Sequence, residues 1–506
     1  MLLIVLSLLA IPLGCYLLTE LRGYLKIMRY RKQGIKHIKH STIPGFFHNI
    51  GKISRANDPN FEYKQLMADH DPNQPFRVSN FGPGCTVSLI SEKAIKEFYA
   101  KETEVSVKEN PMKNFKFMGF LLENGKEVQE NRAIFSKIFH YSNILRLMPK
   151  IRNEIKQHVL KLKKRVSAEG GQVKINLKKE FSHPAFDDIS ACVLLGGADN
   201  KVTDKFEGMG ITQIIDKMVV IFNASVISPL KLVPYASELG LIKEEKEIRR
   251  LQNRLKKIAR KEYNKRYNKK NLDDTSVLDV MIKLNKESEK ETGKAKFEIE
   301  EISSNFEMFH FAASDTSFHL STTVLTYLSL PENQEYQKRI QKQIDSELGT
   351  SDSYSNDELN SLKGLHQVFR ETARIANPAS EISRRVTKNF KLDGYTIYKG
   401  DMVTNVLTNY EPKYFKNPLK FNPDRFDTTA PDFKKAPKLK QITFSHGQRA
   451  CIGKYLGEMM VKLVVVEILK EFEVSVEPGY VMKFGRDPLV TVMNPDLIMK
   501  VRTTSE

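Results

Sequence analysis

The sequence predicts a mainly α-helical protein with small β-sheets, built as one large domain behind an N-terminal transmembrane anchor. Three observations predict it. Residues 2–19 carry no charge. From about Lys126 to Leu328 the apolar residues recur with the 3.6-residue period of helices. Short β-like runs bounded by glycine and proline appear only around residues 76–100 and 387–409. The chain of 506 residues is long enough to bury a large core, and its 29 Phe and 18 Tyr exclude disorder throughout.

The anchor comes first. Residues 2–19, LLIVLSLLAIPLGCYLLT, span ~27 Å as a helix, enough for a hydrocarbon core. Arg22, Lys26, Arg29, Arg31, Lys32, Lys36 and Lys39 follow, against the single acid Glu20, and nothing basic precedes the run. The positive-inside rule then puts the N-terminus in the lumen and the body in the cytoplasm. A cleaved signal peptide is the alternative, but it lacks the basic start and the small-x-small cleavage site. Residues 20–45 read as a basic linker ending in the stiff joint Ile43-Pro44-Gly45, and residues 46–506 as the globular body.

Within the body, β-like runs flank Gly82-Pro83-Gly84, and a helix starts near Ser91. Lys243–Lys270 holds thirteen basic residues against four acids, with Ile248, Leu251, Leu255 and Ile258 on one face. That is a packed helix with a solvated basic side, or a surface for membrane or partner. Residues 271–293 read as a polar loop around a short helix. A long helix runs from about Glu298 to Ser329, stopped by Pro331. Thr387–Asn409 reads as strand–turn–strand with turns at Gly394 and Gly400. Residues 410–450 read as ordered coil, and a last helix runs from Cys451 to about Phe472.

Composition narrows the function. The four cysteines, Cys15, Cys85, Cys192 and Cys451, match no zinc or disulfide spacing. The net charge of +19 fits an anionic membrane surface or an acidic partner. No zinc-finger, RRM or helix-turn-helix pattern accompanies it, so no nucleic acid is expected. No G-x-G-x-x-G nucleotide fingerprint is present either.

The chemistry starts at Cys451. In Phe444-Ser-His-Gly447-Gln-Arg449-Ala-Cys451-Ile-Gly453, one thiol precedes an amphipathic helix whose N-terminus favours thiolate. Glycines let backbone approach a flat group closely, Phe444 can shield the sulfur, and Arg449 can neutralise an anion. Taken alone, Cys451 reads as a buried, inert cysteine, which is the usual outcome.

The ten-residue pattern resembles the FxxGxRxCxG haem-binding loop of the cytochrome P450 family, of the microsomal membrane-anchored type. The resemblance implies Cys451 as axial ligand of haem b, Arg449 on a propionate, and Phe444, Gly447 and Gly453 around the haem. It extends over roughly residues 43–503. Glu371-Thr-Ala-Arg374 resembles the family's ExxR helix, and Pro423-Asp-Arg425-Phe426 its PERF-like coil with Asp for Glu. It implies a structural triad, Glu371–Arg374–Arg425. Ala312-Ala-Ser-Asp315-Thr316 resembles the A-G-x-D-T segment. There Ala312 borders the oxygen pocket, while Asp315 and Thr316 deliver protons during oxygen activation. Arg132 stands where W-x-x-x-R ends, with Val128 at the Trp position. Arg384 or Arg385 supplies a further propionate contact, and the sequence does not separate them. His310, His319 and His446 read as structural.

The implied function is a haem-thiolate monooxygenase. It inserts one oxygen atom of O₂ into a lipophilic substrate, with electrons from NADPH through NADPH-cytochrome P450 reductase and with cytochrome b5 as a possible helper. The implied place is the endoplasmic reticulum membrane, facing the cytoplasm. Two alternatives keep the fold. One is an isomerase or dehydratase acting on peroxide lipids without a reductase, and the other a non-catalytic haem-binding sensor. The expected substrate-contact regions, near residues 103–122, 208–240 and 478–490, are apolar but name no compound.

Overall fold

The computed structural model describes residues 2–41, 74–81, 84–109, 119–197, 206–226, 239–349, 351, 353–379, 381–406, 415–430, 433, 443–482, 485–486, 491–492 and 496–502. The chain opens with α1 (Leu2–Arg31). Strands β1 (His37–Ser41), β2 (Phe76–Phe81) and β3 (Gly84–Leu89) follow. Helix α2 (Glu92–Val105) starts where the Ser91 side chain accepts the Ala94 N–H at 3.1 Å, and it runs into β4 (Ser106–Val107). Next come α3 (Lys126–Ile138), α4 (Tyr141–Ala168), β5 (Gln172–Asn176), α5 (His183–Leu195) and α6 (Ile211–Val226). Helices α7 (Lys243–Tyr267) and α8 (Val277–Thr292) lead to α9 (Ile299–Ser329). Helices α10 (Gln334–Gln343), α11 (Asn356–Ser361) and α12 (Lys363–Ile375) precede β6 (Glu381–Val386). Then come β7 (Phe390–Leu392), β8 (Tyr395–Ile397) and β9 (Met402–Val406). The end holds α13 (Lys454–Glu471), β10 (Phe472–Ser475), β11 (Gly485–Arg486), β12 (Thr491–Val492) and β13 (Asp496–Val501).

The fold is mainly helical with small sheets. Helix α9 is its axis: α5, α6, α7, α12 and α13 all pack on it. Its 31 residues span ~46 Å. Ile248, Leu251, Leu255 and Ile258 of α7 are buried, so its basic side is the outer face of a core helix. One sheet has strand order β1-β2-β3-β9-β6-β4, a second β10-β13-β5, with two hairpins, β7–β8 and β11–β12. The β7–β8 turn places Asp393 and Gly394 both at positive φ, 47° and 85°, as a two-residue hairpin loop requires.

Several elements differ from the sequence expectation. The basic stretch expected as a linker from residue 20 is helical through Arg31, because its far end has something to bury. Ile27 and Tyr30 are buried, and the Tyr30 hydroxyl donates to Asp401 Oδ2 at 2.9 Å. The helix after residue 271 has 16 residues rather than a few, since Val277, Leu278, Met281 and Ile282 form a buried face. Strand β5 interrupts the helical run because β13 pairs with it antiparallel. The last helix begins at Lys454, three residues beyond Cys451. Among the described residues no helix is long and apolar enough to cross a membrane. The expected anchor, residues 2–19, falls largely on side chains outside the described residues, as do Ile43-Pro44-Gly45 and parts of the expected substrate regions.

Candidate functional site

From Ile302 to Ser329 every residue of α9 is buried except Ala312, Ala313, Asp315 and Thr316. Free surface on one turn of a central helix marks an internal hollow. The sulfur of Cys451 belongs to the same region. A Cβ built on Gly457, in the first turn of α13, would lie 3.5 Å from the Phe444 ring and 3.8 Å from Ser317 Oγ. The start of α13 therefore packs directly beside the Thr316 turn.

The cysteine loop is held by its own backbone. The Cys451 N–H donates to the Phe444 carbonyl at 3.0 Å, and the Phe444 ring stacks on Phe369. Gly447 sits at φ +79°, and a Cβ there would meet Tyr99 Cδ1 at 3.1 Å, so this position excludes side chains. Gly453 has an ordinary φ of −89° as the cap of α13. Cys451 keeps free surface yet is surrounded by protein, as a sulfur on a cavity wall is. Burial pushes its thiol up, and the Gly453 backbone N–H, Arg132 and Lys108 pull it down. Burial outweighs the helix-terminus effect expected from sequence, so the thiol is held above its ordinary range rather than below it.

Arg132 and Lys108 act on that sulfur, and Arg449 and Arg384 cluster with them. The Arg132 Nη2–H donates to the Ala450 carbonyl at 2.7 Å, and the Arg449 Nη2–H to the Glu123 carbonyl at 2.7 Å. Burial, then Arg132 and Arg384, push the Arg449 guanidinium down to about 10. Burial, then Arg384, Arg449 and Arg132, hold the Lys108 ammonium well below its usual range. The strand pleat separates the two candidate arginines of β6. Arg384 is buried and joins the cluster through Glu102, while Arg385 turns away to Glu109 and the Gly400 carbonyl. Lys108 and Glu102 were not expected from sequence, since both lie near the α2–β4 junction with no fixed spacing to Cys451.

The structure brings Glu371, Arg374 and Arg425 together. Arg374 donates to both Glu371 oxygens at 2.8 Å, and Arg425 Nε to Oε1 at 3.0 Å. The Asn422 N–H adds a fourth bond at 2.8 Å, and Arg425 reaches the Lys416 and Lys420 carbonyls at 3.0 and 3.2 Å. The helix α12 and the coil before the cysteine loop are thereby tied at a fully buried carboxylate.

The proton-relay candidates do not meet each other. The Thr316 hydroxyl donates to the Ala312 carbonyl at 2.8 Å, and Asp315 Oδ1 lies 3.2 Å from His319 Nε2. His310 is fixed by Thr212 at 2.9 Å, and His446 packs edge-on to Tyr99. Among the described residues no group of three potential ligands could hold a bare metal ion.

These features suit haem. Four cations facing one carboxylate call for anions, which the two haem carboxylates are. The free surface at Ala312 and Ala313 leaves room on the α9 side, and Cys451 offers a sulfur ligand.

Comparison with known proteins points the same way. The family model for cytochrome P450 matches residues 43–501. Cytochrome P450 6B7 of Helicoverpa armigera is 32% identical over 173 residues, 33% of this chain and 34% of its own. Cytochrome P450 9e2 of Blattella germanica is 31% identical over 191 residues, 36% of this chain and 35% of its own. The chain thus spans about a third of the length of these two relatives. Cytochrome P450 709B3 of Arabidopsis thaliana is 24% identical over 490 residues, 92% of this chain and 91% of its own.

Proposed function

The chain belongs to the cytochrome P450 family, and from that premise we propose a membrane-anchored haem-thiolate monooxygenase acting on a lipophilic substrate. The observation that carries the reading is the one-turn opening at Ala312–Thr316 beside a sulfur and a cationic wall. Cys451 would supply the sulfur ligand of the haem iron. Arg132, Arg449, Arg384 and Lys108 would hold the haem carboxylates, and Arg385, turned to Glu109, would not. Bound haem supplies the oxygen-activating redox chemistry.

The chain's own residues do the rest. Phe120, Phe135 and Phe309 form a buried aromatic cluster that includes a residue of α9 three positions before Ala312. Thr316 and Asp315 hold and hand on protons at Oγ1 and Oδ1, which requires both to leave their present partners. The triad at Glu371 keeps the cysteine loop in register. Electrons come from NADPH-cytochrome P450 reductase, and the positive net charge suits an acidic donor surface, cytochrome b5 included. Residues 2–19 anchor the chain in the endoplasmic reticulum membrane with residues 46–506 on the cytoplasmic side. The charge-free run followed by basic residues supports this topology.

The test uses the full chain in membranes, expressed with a haem precursor. A reduced-CO band of the thiolate type, lost in Cys451→Ser, is expected, as is NADPH and O₂ consumption on adding reductase and lipophilic compounds. A colourless protein, or a band that survives in Cys451→Ser, overturns the reading. Turnover driven by a lipid peroxide alone, with none from NADPH, would move it to the isomerase class.

A further inference from the structure

The cationic wall contains one acid that no motif explains. Glu102 lies in the last turn of α2 and is 2% exposed. Its Oε1 accepts the Arg384 Nε–H at 2.5 Å. Its Oε2 is buried with no hydrogen-bond partner among the described residues. A Cβ built on Gly447 would lie 3.3 Å from that oxygen, so the carboxylate reaches the cysteine loop itself. Its charge is felt by Arg132, Arg449 and Lys108.

This arrangement is costly to leave idle. A buried carboxylate oxygen without a donor gives up its hydration and gains no hydrogen bond in return. Among the described residues the Arg384 side chain donates to Glu102 and to its neighbour's carbonyl at Ser383. When an anionic ligand enters, Arg384 must serve both it and Glu102. The unpaired oxygen then adds a fixed negative charge close to whatever the cysteine binds.

We infer that Glu102 is a positioning residue that shares Arg384 with a carboxylate of the bound haem, weakens that haem's hold, and lowers the reduction potential of its iron. This rests on haem filling the cavity. The physical reason is direct. A fixed anion favours the oxidised, more positive iron over the reduced one. It also competes for a guanidinium that would otherwise bind the haem carboxylate bidentately.

The experiment compares purified wild-type holoprotein with Glu102→Gln and Glu102→Asp. Two quantities are read: the ferric/ferrous midpoint by spectroelectrochemical titration, and the rate of haem loss to a haem-scavenging globin. Glu102→Gln should shift the midpoint positive and slow haem loss severalfold, while Glu102→Asp stays near wild type. An unshifted midpoint, or faster haem loss in Glu102→Gln, overturns the inference, since a purely structural role would only loosen the site. Should Glu102→Gln fail to accumulate, Arg384→Gln is compared with the double variant Arg384→Gln/Glu102→Gln. The double variant is expected at the more positive midpoint, and equal midpoints overturn the inference. A wild-type protein that takes up no haem sinks the haem reading itself, a failure visible before any variant is made.

Discussion

Asp315 presents its carboxylate to His319, one helical turn along α9, with 3.2 Å between Oδ1 and Nε2. Thr316, its immediate neighbour, is bonded instead to the Ala312 carbonyl. The acid and the alcohol thus stand on one half-buried turn with separate partners. If they act together, both must rotate, and each contributes on its own terms. Asp315→Asn should slow product formation by ~10²-fold, the usual scale for losing a positioned proton donor. Thr316→Ala should keep haem and NADPH consumption but divert electrons to hydrogen peroxide. Product and peroxide formed per NADPH are the measurements. An unchanged ratio in Thr316→Ala would place the relay elsewhere.

The triad at Glu371 predicts a stability effect rather than a kinetic one. Its carboxylate is fully buried and accepts four hydrogen bonds. Glu371→Ala removes the shared carboxylate from two buried guanidinium groups, a loss of about 3–5 kcal/mol. Denaturant unfolding should show the midpoint falling accordingly, and soluble holoprotein should drop with it. Glu371→Gln should fall between, because the amide oxygen still accepts. A wild-type midpoint in Glu371→Ala would remove the triad from the framework.

Much of this architecture was legible because it is local. A 3.6-residue period announces α9 and α7 without help from distant chain, and Glu371 and Arg374 are one turn apart. What escaped depends on pairs far apart. Strand β5 becomes a strand because β13, some 320 residues on, pairs with it, Asn176 facing Asp496. Arg384 and Arg385 look alike in sequence, and only the pleat of β6 sends them to opposite sides. Lys108 and Glu102 carry no spacing signal at all. They matter because α2 and β4 dock against a loop more than 300 residues later, where Tyr99 meets Ser445.

Gly447 offers a sharper local test. Its φ of +79° and the 3.1 Å approach of Tyr99 Cδ1 mean that any side chain meets both backbone strain and a ring. Gly447→Ala should cost about 1–3 kcal/mol at this loop. The expected readout is faster haem loss with an otherwise normal far-ultraviolet circular dichroism spectrum. A second variant, Gly447→Ala with Tyr99→Ala, should recover only the part due to the clash. Full recovery would mean that the backbone angle is unstrained.

Two buried groups of α9 predict opposite pH slopes. Burial lifts the Glu307 carboxyl to about 8, although Gln252 and Lys256 pull it down. Native Glu307 therefore holds a proton that the unfolded chain releases above about 4.5. Between these values the native state binds more protons, so stability falls as pH rises and the penalty is complete above pH 8. Glu307→Gln removes it: the variant should match wild type near pH 4.5 and exceed it by a few kcal/mol at pH 9. His310 has the reverse sign. Burial holds its imidazole down at about 4, against the pull of Asp187, while the unfolded chain takes a proton below about 6.5. Its penalty grows as pH falls through that window, and His310→Gln should be relatively more stable at pH 5 than at pH 8. Urea midpoints for both variants at pH 5, 7 and 9 give the test. Equal slopes in the two variants would mean that neither group is buried as the packing of α9 requires.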